Sequence, residues 1–230
     1  ALGPIFHFFK EKGDLKTLLF APNEEKLFIW NITQSIKRDT TVMDKQISYP
    51  WREENGGAPY YLMFLKDENT LITELQSFPL NDKEATLPAY QKRTLDTNKL
   101  LKSFSSYKKS IRNDEASILP ESFFYSNDAI KPDGTKVVQA MVHLAQLNIL
   151  DLETGHVSGY RLEGEPDFSV FKSDEKIKSY FTRVQADDNY IYAVYWGKER
   201  WERFETPHMN IIHVYDWDGN LVQKIETDYS

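Results

Sequence analysis

Four stretches of the chain repeat one pattern, in which an apolar strand ends, a short polar turn follows and a second apolar strand begins. The stretches are residues 20–28, 64–72, 130–138 and 184–192. Setting Pro22 against Lys66, Pro132 and Ala186 gives steps of 44, 66 and 54 residues. A period of this size, built from strands, is typical of the blades of a propeller. The repeat therefore predicts an all-β fold, a β-propeller of four-stranded antiparallel blades, with about four blade units in this chain.

A second turn recurs in the later repeats. Residues 148–157 align with residues 213–222, which sets Asp151 against Asp216, and a weaker copy places Asp96 in the same role. An Asp at such a position accepts hydrogen bonds from backbone N–H groups two residues further on, and the glycine that follows supplies a positive φ. Each blade unit is therefore predicted to contain a tight hairpin at this point.

Strand patterns dominate the rest of the chain. Short β-branched or aromatic runs, bounded by Gly, Pro, Asn or Asp, predict strands at residues 5–9, 15–20, 26–32, 60–65, 70–75, 136–144, 146–152, 190–196 and 211–217. No stretch keeps a helical period over four turns. The least regular region spans residues 77–121, where we predict one short helix at residues 97–107.

Composition supports a globular sheet protein. Aromatic residues make up 14% of the chain, which suits the half-buried faces of sheets. The net charge of −7 argues against a nucleic-acid partner, because phosphate backbones need a basic surface. No apolar run approaches the roughly 18 residues that span a bilayer. We therefore expect no transmembrane segment in this chain.

The turn and strand at residues 131–138, Lys-Pro-Asp-Gly-Thr-Lys-Val-Val, resemble the Ser-Pro-Asp-Gly repeats of TolB-type propellers. Residues 148–155, 190–197 and 211–220 resemble the later blades of the TolB-like six-bladed propeller proteins, which are exported and often lipid-anchored proteins of Bacteroides and relatives. The resemblance covers most of the chain from Phe6 onward. It departs from the TolB-type turn at residue 131, which is Lys where that turn has Ser.

This resemblance implies an extracytoplasmic protein, in the periplasm or at the outer membrane, with a lipid anchor whose cysteine is not in this chain. It also implies six blades, so we interpret the four visible repeats as part of a longer propeller. The alternative is a propeller that closes with four blades. Residues 1–230 are then one propeller domain that is incomplete at one or both ends. The open sheet edges of such a piece predict self-association, because unpaired edge strands pair with other chains.

The residues point to no catalytic site, cofactor or metal. The chain has no cysteine, which excludes disulfides, thiolate metal sites and cysteine nucleophiles. His7, His143 and His213 are predicted to lie in strands, hydrogen-bonded to their neighbours, and the polar run 216–220 is predicted to be a β-turn because it lacks the ligand spacing of a calcium loop. No serine nucleophile elbow or glycine-rich phosphate loop occurs.

These observations favour a non-enzymatic propeller scaffold of the bacterial cell envelope that binds a protein or a small ligand. The alternative is a propeller enzyme, a lyase or hydrolase, whose acidic, His and Arg groups meet in the axial channel. A purely structural role is the third hypothesis. Convergence of titratable groups from at least three blades on one pocket would favour the enzyme.

One long connection is the best candidate for a recognition surface. Residues 197–208 lie between two predicted strands, where a hairpin needs only about two to five loop residues. Aromatic side chains beside arginines are common anchors of binding surfaces. The candidate ligand- or partner-binding residues are Arg200, Trp201, Arg203, Phe204 and His208. The alternative is that this loop packs its aromatic side chains over the propeller rim.

Overall fold

The computed structural model describes residues 5–50, 60–75, 89–105, 125–165, 167, 178–199, 202 and 209–228. Four antiparallel sheets of four strands each account for almost all of the regular structure in these ranges. Each sheet is one blade. The chain divides into two compact units, and each unit contains two blades.

Unit 1 contains blades 1 and 2 and one short helix. Blade 1 consists of β1 (Ile5–Glu11), β2 (Asp14–Ala21), β3 (Lys26–Asn31) and β4 (Met43–Ser48), with α1 (Ile32–Arg38) between β3 and β4. Blade 2 consists of β5 (Tyr60–Asp67), β6 (Thr70–Leu75), β7 (Ala89–Thr94) and β8 (Leu100–Ser105). Strands β1 and β5 are neighbours. The core between the two blades includes Leu18, Leu27, Tyr49, Met63 and Leu71.

Unit 2 contains blades 3 and 4. Blade 3 consists of β9 (Ser126–Ile130), β10 (Lys136–Met141), β11 (Gln146–Asp151) and β12 (Val157–Arg161). Blade 4 consists of β13 (Lys178–Ala186), β14 (Tyr190–Glu199), β15 (Met209–Asp216) and β16 (Leu221–Asp228). Strands β9 and β13 are neighbours. The shared core includes Val138, Ala140, Leu147, Phe181 and Ile191.

The predicted Asp turns are confirmed in unit 2. Asp151 Oδ1 accepts from the backbone nitrogens of Glu153 (3.0 Å) and Thr154 (2.7 Å). Asp216 Oδ1 accepts in the same way from Asp218 (3.0 Å) and Asn220 (2.8 Å). These hydrogen bonds hold the β11–β12 and β15–β16 hairpins at a length of only a few residues.

The β7–β8 hairpin of unit 1 uses different side chains. Thr94 Oγ1 accepts from the Lys99 nitrogen at 2.9 Å, and Asn98 adopts a positive φ of 54°. Asp96 instead lies 3.4 Å from the Lys45 ammonium of blade 1. The turn role predicted for Asp96 is therefore wrong, because a threonine hydroxyl supplies the acceptor.

The helix predicted at residues 97–107 is also wrong over its described part. Residues 100–105 form β8, which pairs antiparallel with β7. The ladder hydrogen bonds that a tight hairpin makes available outweigh the weak helical preference of this segment. The helix that does exist, α1, has only seven residues and is capped by Asn31, whose Oδ1 accepts from the Gln34 nitrogen at 2.9 Å.

The first copy of the repeat is displaced by one strand. Residues 20–28 form the β2–β3 hairpin, whereas residues 64–72, 130–138 and 184–192 form the hairpins between the first and second strands of blades 2, 3 and 4. The equivalent hairpin of blade 1 is β1–β2, with its turn at Lys12 and Gly13. The two hairpins share one pattern because each joins two apolar strands through a polar turn.

Candidate functional site

A cavity of about 530 Å³ lies in unit 2, between β12 with its following turn and the strands β14, β15 and β16. Its aromatic lining comes from Tyr160, Tyr195, His213 and Tyr215, and its charged lining from Arg161, Glu163, Glu165 and Lys224. Ligand pockets of proteins typically measure about 300–1,000 Å³ and are lined mainly by apolar and aromatic side chains with a few polar groups. The cavity has this character.

Strand pairing brings the aromatic rings of blade 4 together. Ala193 lies opposite His213 in the β14–β15 ladder, so Tyr195, two residues further along β14, is the diagonal neighbour of His213 on the same face. The Tyr195 and His213 rings are stacked, with centroids 4.4 Å apart and planes 11° apart. Tyr215 follows His213 by two residues, and its hydroxyl lies 3.1 Å from His213 Nδ1.

Glu165 ties the turn after β12 to blade 4. Its Oε2 accepts from the Tyr180 hydroxyl at 3.0 Å, and its Oε1 accepts from the Tyr195 hydroxyl at 3.2 Å. The turn itself is closed by a backbone hydrogen bond from the Glu165 nitrogen to the Leu162 oxygen. The carboxylate is therefore held at one side of the cavity by donors from two strands.

The environment keeps the aromatic polar groups uncharged. Burial, with a smaller contribution from Lys224, lowers the pKa of His213 to about 4. Burial and the nearby negative charge of Glu165 raise the pKa of Tyr195 to about 12. Burial also raises the pKa of Tyr215. At neutral pH the cavity therefore presents a neutral imidazole and neutral phenols.

The second ring nitrogen of His213 remains open for a ligand. The side chain is 2% exposed and lines the cavity, and only Nδ1 is engaged, by Tyr215. Nε2 makes no hydrogen bond to the described part of the chain. Because a neutral imidazole has one nitrogen that donates and one that accepts, Nε2 gives the cavity a position where a bound molecule can form a hydrogen bond.

Two glycines provide the surfaces on which the tyrosine rings rest. Gly219 has a φ of 83°, and a Cβ there would stand 2.2 Å from the Tyr160 ring. Gly197 has a φ of 70°, and a Cβ there would stand 2.6–2.7 Å from Tyr195. Real Cβ contacts are never this short, so only glycine lets these rings lie directly on the backbone.

The sequence of this chain matches the model of one protein family. The model described as "TolB-like 6-blade propeller-like" matches residues 60–230. This match covers all of blades 2, 3 and 4, including every residue of the cavity. The chain belongs to the TolB-like six-blade propeller family.

Solved structures resemble this TolB-like chain at low sequence identity. TolB from Acinetobacter baumannii has 12% identity and a TM-score of 0.48, over 97% of this chain and 44% of its own. A putative exported protein from Bacteroides fragilis has 12% identity and a TM-score of 0.45, over 97% and 58%. The WD40 domain of Toxoplasma gondii coronin has 12% identity and a TM-score of 0.47, over 99% and 48%.

The TolB-like chain spans about half the length of these three proteins. A comparison with curated protein sequences found no significant match.

The recognition residues predicted in this TolB-like chain, Arg200, Trp201, Arg203, Phe204 and His208, lie outside the described residues. Strand β14 extends to Glu199 and β15 begins at Met209, so the connection between them is shorter than predicted. It is still long for a hairpin. Within it Glu202 is described, and its Oε2 accepts from the Glu199 nitrogen at 2.7 Å.

Two of the three histidines predicted to lie in strands do so, and one does not. His213 lies in β15 and contacts its neighbours as expected. His143 does not lie in a strand, because β10 ends at Met141 and residue 143 falls in the turn before β11. His7 lies in β1, stacked on Phe9 with centroids 5.9 Å apart.

The sequence does not identify the cavity residues as a site. The alternation of His213 and Tyr215 in β15 shows that the two share a sheet face, and that signal is readable. Tyr160 and Tyr195 belong to different blades, and no local pattern shows that they meet.

The described ranges contain no group of three or more His, Cys, Asp or Glu side chains placed to hold a metal ion. Within the same ranges no helix has the length and apolar character needed to cross a membrane.

Proposed function

We propose that this TolB-like propeller is a non-enzymatic binding module and that the cavity of unit 2 is its small-ligand site. The observation that carries this proposal is the combination of aromatic walls with the buried, uncharged hydrogen-bonding groups of His213 and Tyr215. Such a lining gives a ligand apolar contact area together with a few polar groups that fix its orientation.

The protonation states favour binding over catalysis. A general base works best when its pKa lies near the working pH. The pKa of about 4 for His213 makes this imidazole a weak base, and the pKa of about 12 for Tyr195 makes this phenol a weak acid. Both groups are better suited to donating and accepting hydrogen bonds than to moving protons.

The test is a thermal-shift screen with saccharides, amino acids, nucleosides, polyamines and organic acids. A compound that binds the native state raises the melting temperature. We expect at least one class to stabilise the wild type and not Tyr160→Ala. Tyr190→Ala is the matched control, because Tyr190 lies on β14 and is 38% exposed but is not part of the cavity lining. If no class acts, or if the shift persists in Tyr160→Ala, the proposal is wrong.

We also propose that the connection 200–208 is a surface for a protein partner, formed by Arg200, Trp201, Arg203, Phe204 and His208. Its length and its mixture of aromatic and arginine residues support this. Trp201→Ala is expected to weaken partner binding while leaving the melting temperature nearly unchanged. A drop of several degrees, like that expected for Trp30→Ala, whose indole donates to Ser35, would show that Trp201 packs against the propeller instead.

The proposed location is outside the cytoplasm, in the bacterial cell envelope, with a lipid anchor supplied by a part of the protein beyond these residues. This proposal is supported by the family to which the chain belongs, because the TolB-like proteins that the sequence resembles are exported. Two separate assays on cells that express the full-length protein test this location: fractionation of broken cells and protease treatment of intact cells. Recovery in the cytoplasmic fraction would contradict it.

A further inference from the structure

We infer that the ligand of the cavity is an uncharged saccharide, a mono- or disaccharide without an amino or acidic group. This inference rests on the proposed binding function and gives its ligand a chemical class. It follows from three properties of the lining: ring surfaces, mixed hydrogen-bonding groups and balanced charge.

The ring surfaces suit the apolar faces of a sugar. Tyr160 and Tyr215 line the cavity from different blades, and Tyr195, which is stacked on the imidazole of His213, lines it as well. A pyranose ring carries C–H groups on its faces, and an aromatic ring contributes contact area with few rotatable bonds. The Tyr160 and Tyr195 rings pack directly against the backbone at Gly219 and Gly197, which restricts their movement.

The hydrogen-bonding groups suit hydroxyls, which donate and accept at once. His213 Nε2 is unused by the described residues. Each Glu165 oxygen accepts one phenol hydroxyl and retains a further lone pair for another donor. The site therefore offers a neutral imidazole nitrogen and strong acceptor positions across one cavity, which a molecule rich in hydroxyl groups can satisfy.

The charges disfavour an ionic ligand. Arg161 and Lys224 balance Glu163 and Glu165. Arg161 lies 3.7 Å from Asp167, whereas Lys224 forms no ion pair with a described residue. An amine would be attracted by Glu165 but repelled by Lys224, and a carboxylate or phosphate would meet the opposite combination. Because neither sign of charge meets a uniformly favourable lining and removing a charge from water is costly, a neutral ligand is favoured.

Isothermal titration with glucose, maltose, cellobiose and lactose tests the inference directly, with glucosamine and glucuronic acid as charged counterparts. We expect at least one neutral sugar to bind and the charged sugars to bind at least about tenfold more weakly than glucose or the best disaccharide. Absence of binding by every neutral sugar would overturn the inference, as would stronger binding of glucosamine or glucuronic acid.

Two cavity variants locate the binding. Tyr160→Ala removes a ring surface, and His213→Phe keeps a ring beside Tyr195 but removes both nitrogens. Each is expected to weaken sugar binding by about tenfold or more, whereas Tyr190→Ala should bind within about twofold of the wild type. His213→Phe keeps the test valid if Tyr160→Ala does not fold. Sugar binding that survives in the folded variants places the ligand elsewhere and overturns the inference.

The failure of this inference is distinguishable from failure of the proposed function. If the thermal-shift screen finds a nucleoside or an amino acid whose effect is lost in Tyr160→Ala, the cavity is a binding site and only its assignment to saccharides is wrong. If no class binds, both are wrong.

Discussion

Gly219 shows how much one residue contributes to the cavity. The Tyr160 ring occupies the space that a side chain at residue 219 would fill. Gly219→Ala is expected to destabilise unit 2 by more than the roughly 1–2 kcal/mol that a left-handed backbone costs a residue with a Cβ. The matched control is Gly164→Ala, since Gly164 has a φ of 82° but a Cβ added there would meet no atom within 4 Å. Chemical denaturation of both variants measures the difference. Equal losses would mean that the Tyr160 ring moves aside freely.

His213 makes a second prediction at this scale, on pH. The pKa of His213 is lowered from 6.5 to about 4 in the folded protein. Between pH 6.5 and about 4, the imidazole is therefore protonated in the unfolded chain and neutral in the native state. Stability is therefore fully present above pH 6.5 and falls as the pH drops towards about 4. The loss for this residue is at most roughly 3–4 kcal/mol, because a difference of one pKa unit is worth about 1.36 kcal/mol.

Denaturation curves between pH 4 and pH 7 check this prediction. His213→Phe should show a shallower decline than the wild type. The decline of the variant will not vanish, because burial also lowers the pKa of His7 to about 4. Identical slopes for the variant and the wild type would contradict the prediction.

Hairpins are the elements that the sequence predicted best. Asp151 and Asp216 were readable because an Asx turn depends only on residues two or three positions apart. The displaced first repeat and the strand β8 were not readable in this way, because each depends on which neighbouring strand completes the ladder, and that information is not local. Helix α1 was missed although its start carries a local signal, the Asn31 cap that accepts from the Gln34 nitrogen.

The contrast between two hairpins gives a test at this scale. Asp151→Ala removes an acceptor that serves Glu153 and Thr154, and we expect a loss of about 1 kcal/mol. Asp96→Ala removes only an exposed ion pair with Lys45 and should change stability by no more than about 0.5 kcal/mol. Thermal unfolding of the two variants decides this. A larger effect of Asp96→Ala than of Asp151→Ala would mean that Asp96, and not Thr94, supplies the acceptor that holds the β7–β8 turn.

At the scale of the molecule, the family and the class of fold were predictable and the cavity was not. Strand patterns and turns repeat along the chain, so they reveal blades and identify the TolB-like resemblance. The cavity needs Tyr160 of blade 3 to meet Tyr195 and Tyr215 of blade 4, and this depends on how two sheets pack. The single domain over residues 1–230 stays a prediction.

Self-association, predicted from the sequence, can be tested at the outer strand of blade 4. Strand β16 is the edge of its sheet, and Val222 on it is 54% exposed. We expect sedimentation of the wild type to show concentration-dependent association, because exposed edge strands pair, and Val222→Lys to shift the protein towards monomer. Ile36→Lys is the control, since Ile36 is 77% exposed but lies on α1 and not on an edge. A wild type that stays monomeric at all concentrations would contradict the prediction.

The rings that rest on Gly197 and Gly219 have a consequence for the energetics of recognition. A side chain that is already immobile before a ligand arrives loses little rotamer freedom when the ligand binds, and each rotamer-rich side chain that must be ordered costs about 0.5–1.5 kcal/mol. Two wall rings packed against glycine backbone have fewer positions open to them, which reduces that cost. Weak individual contacts with a small ligand can then add up to measurable affinity.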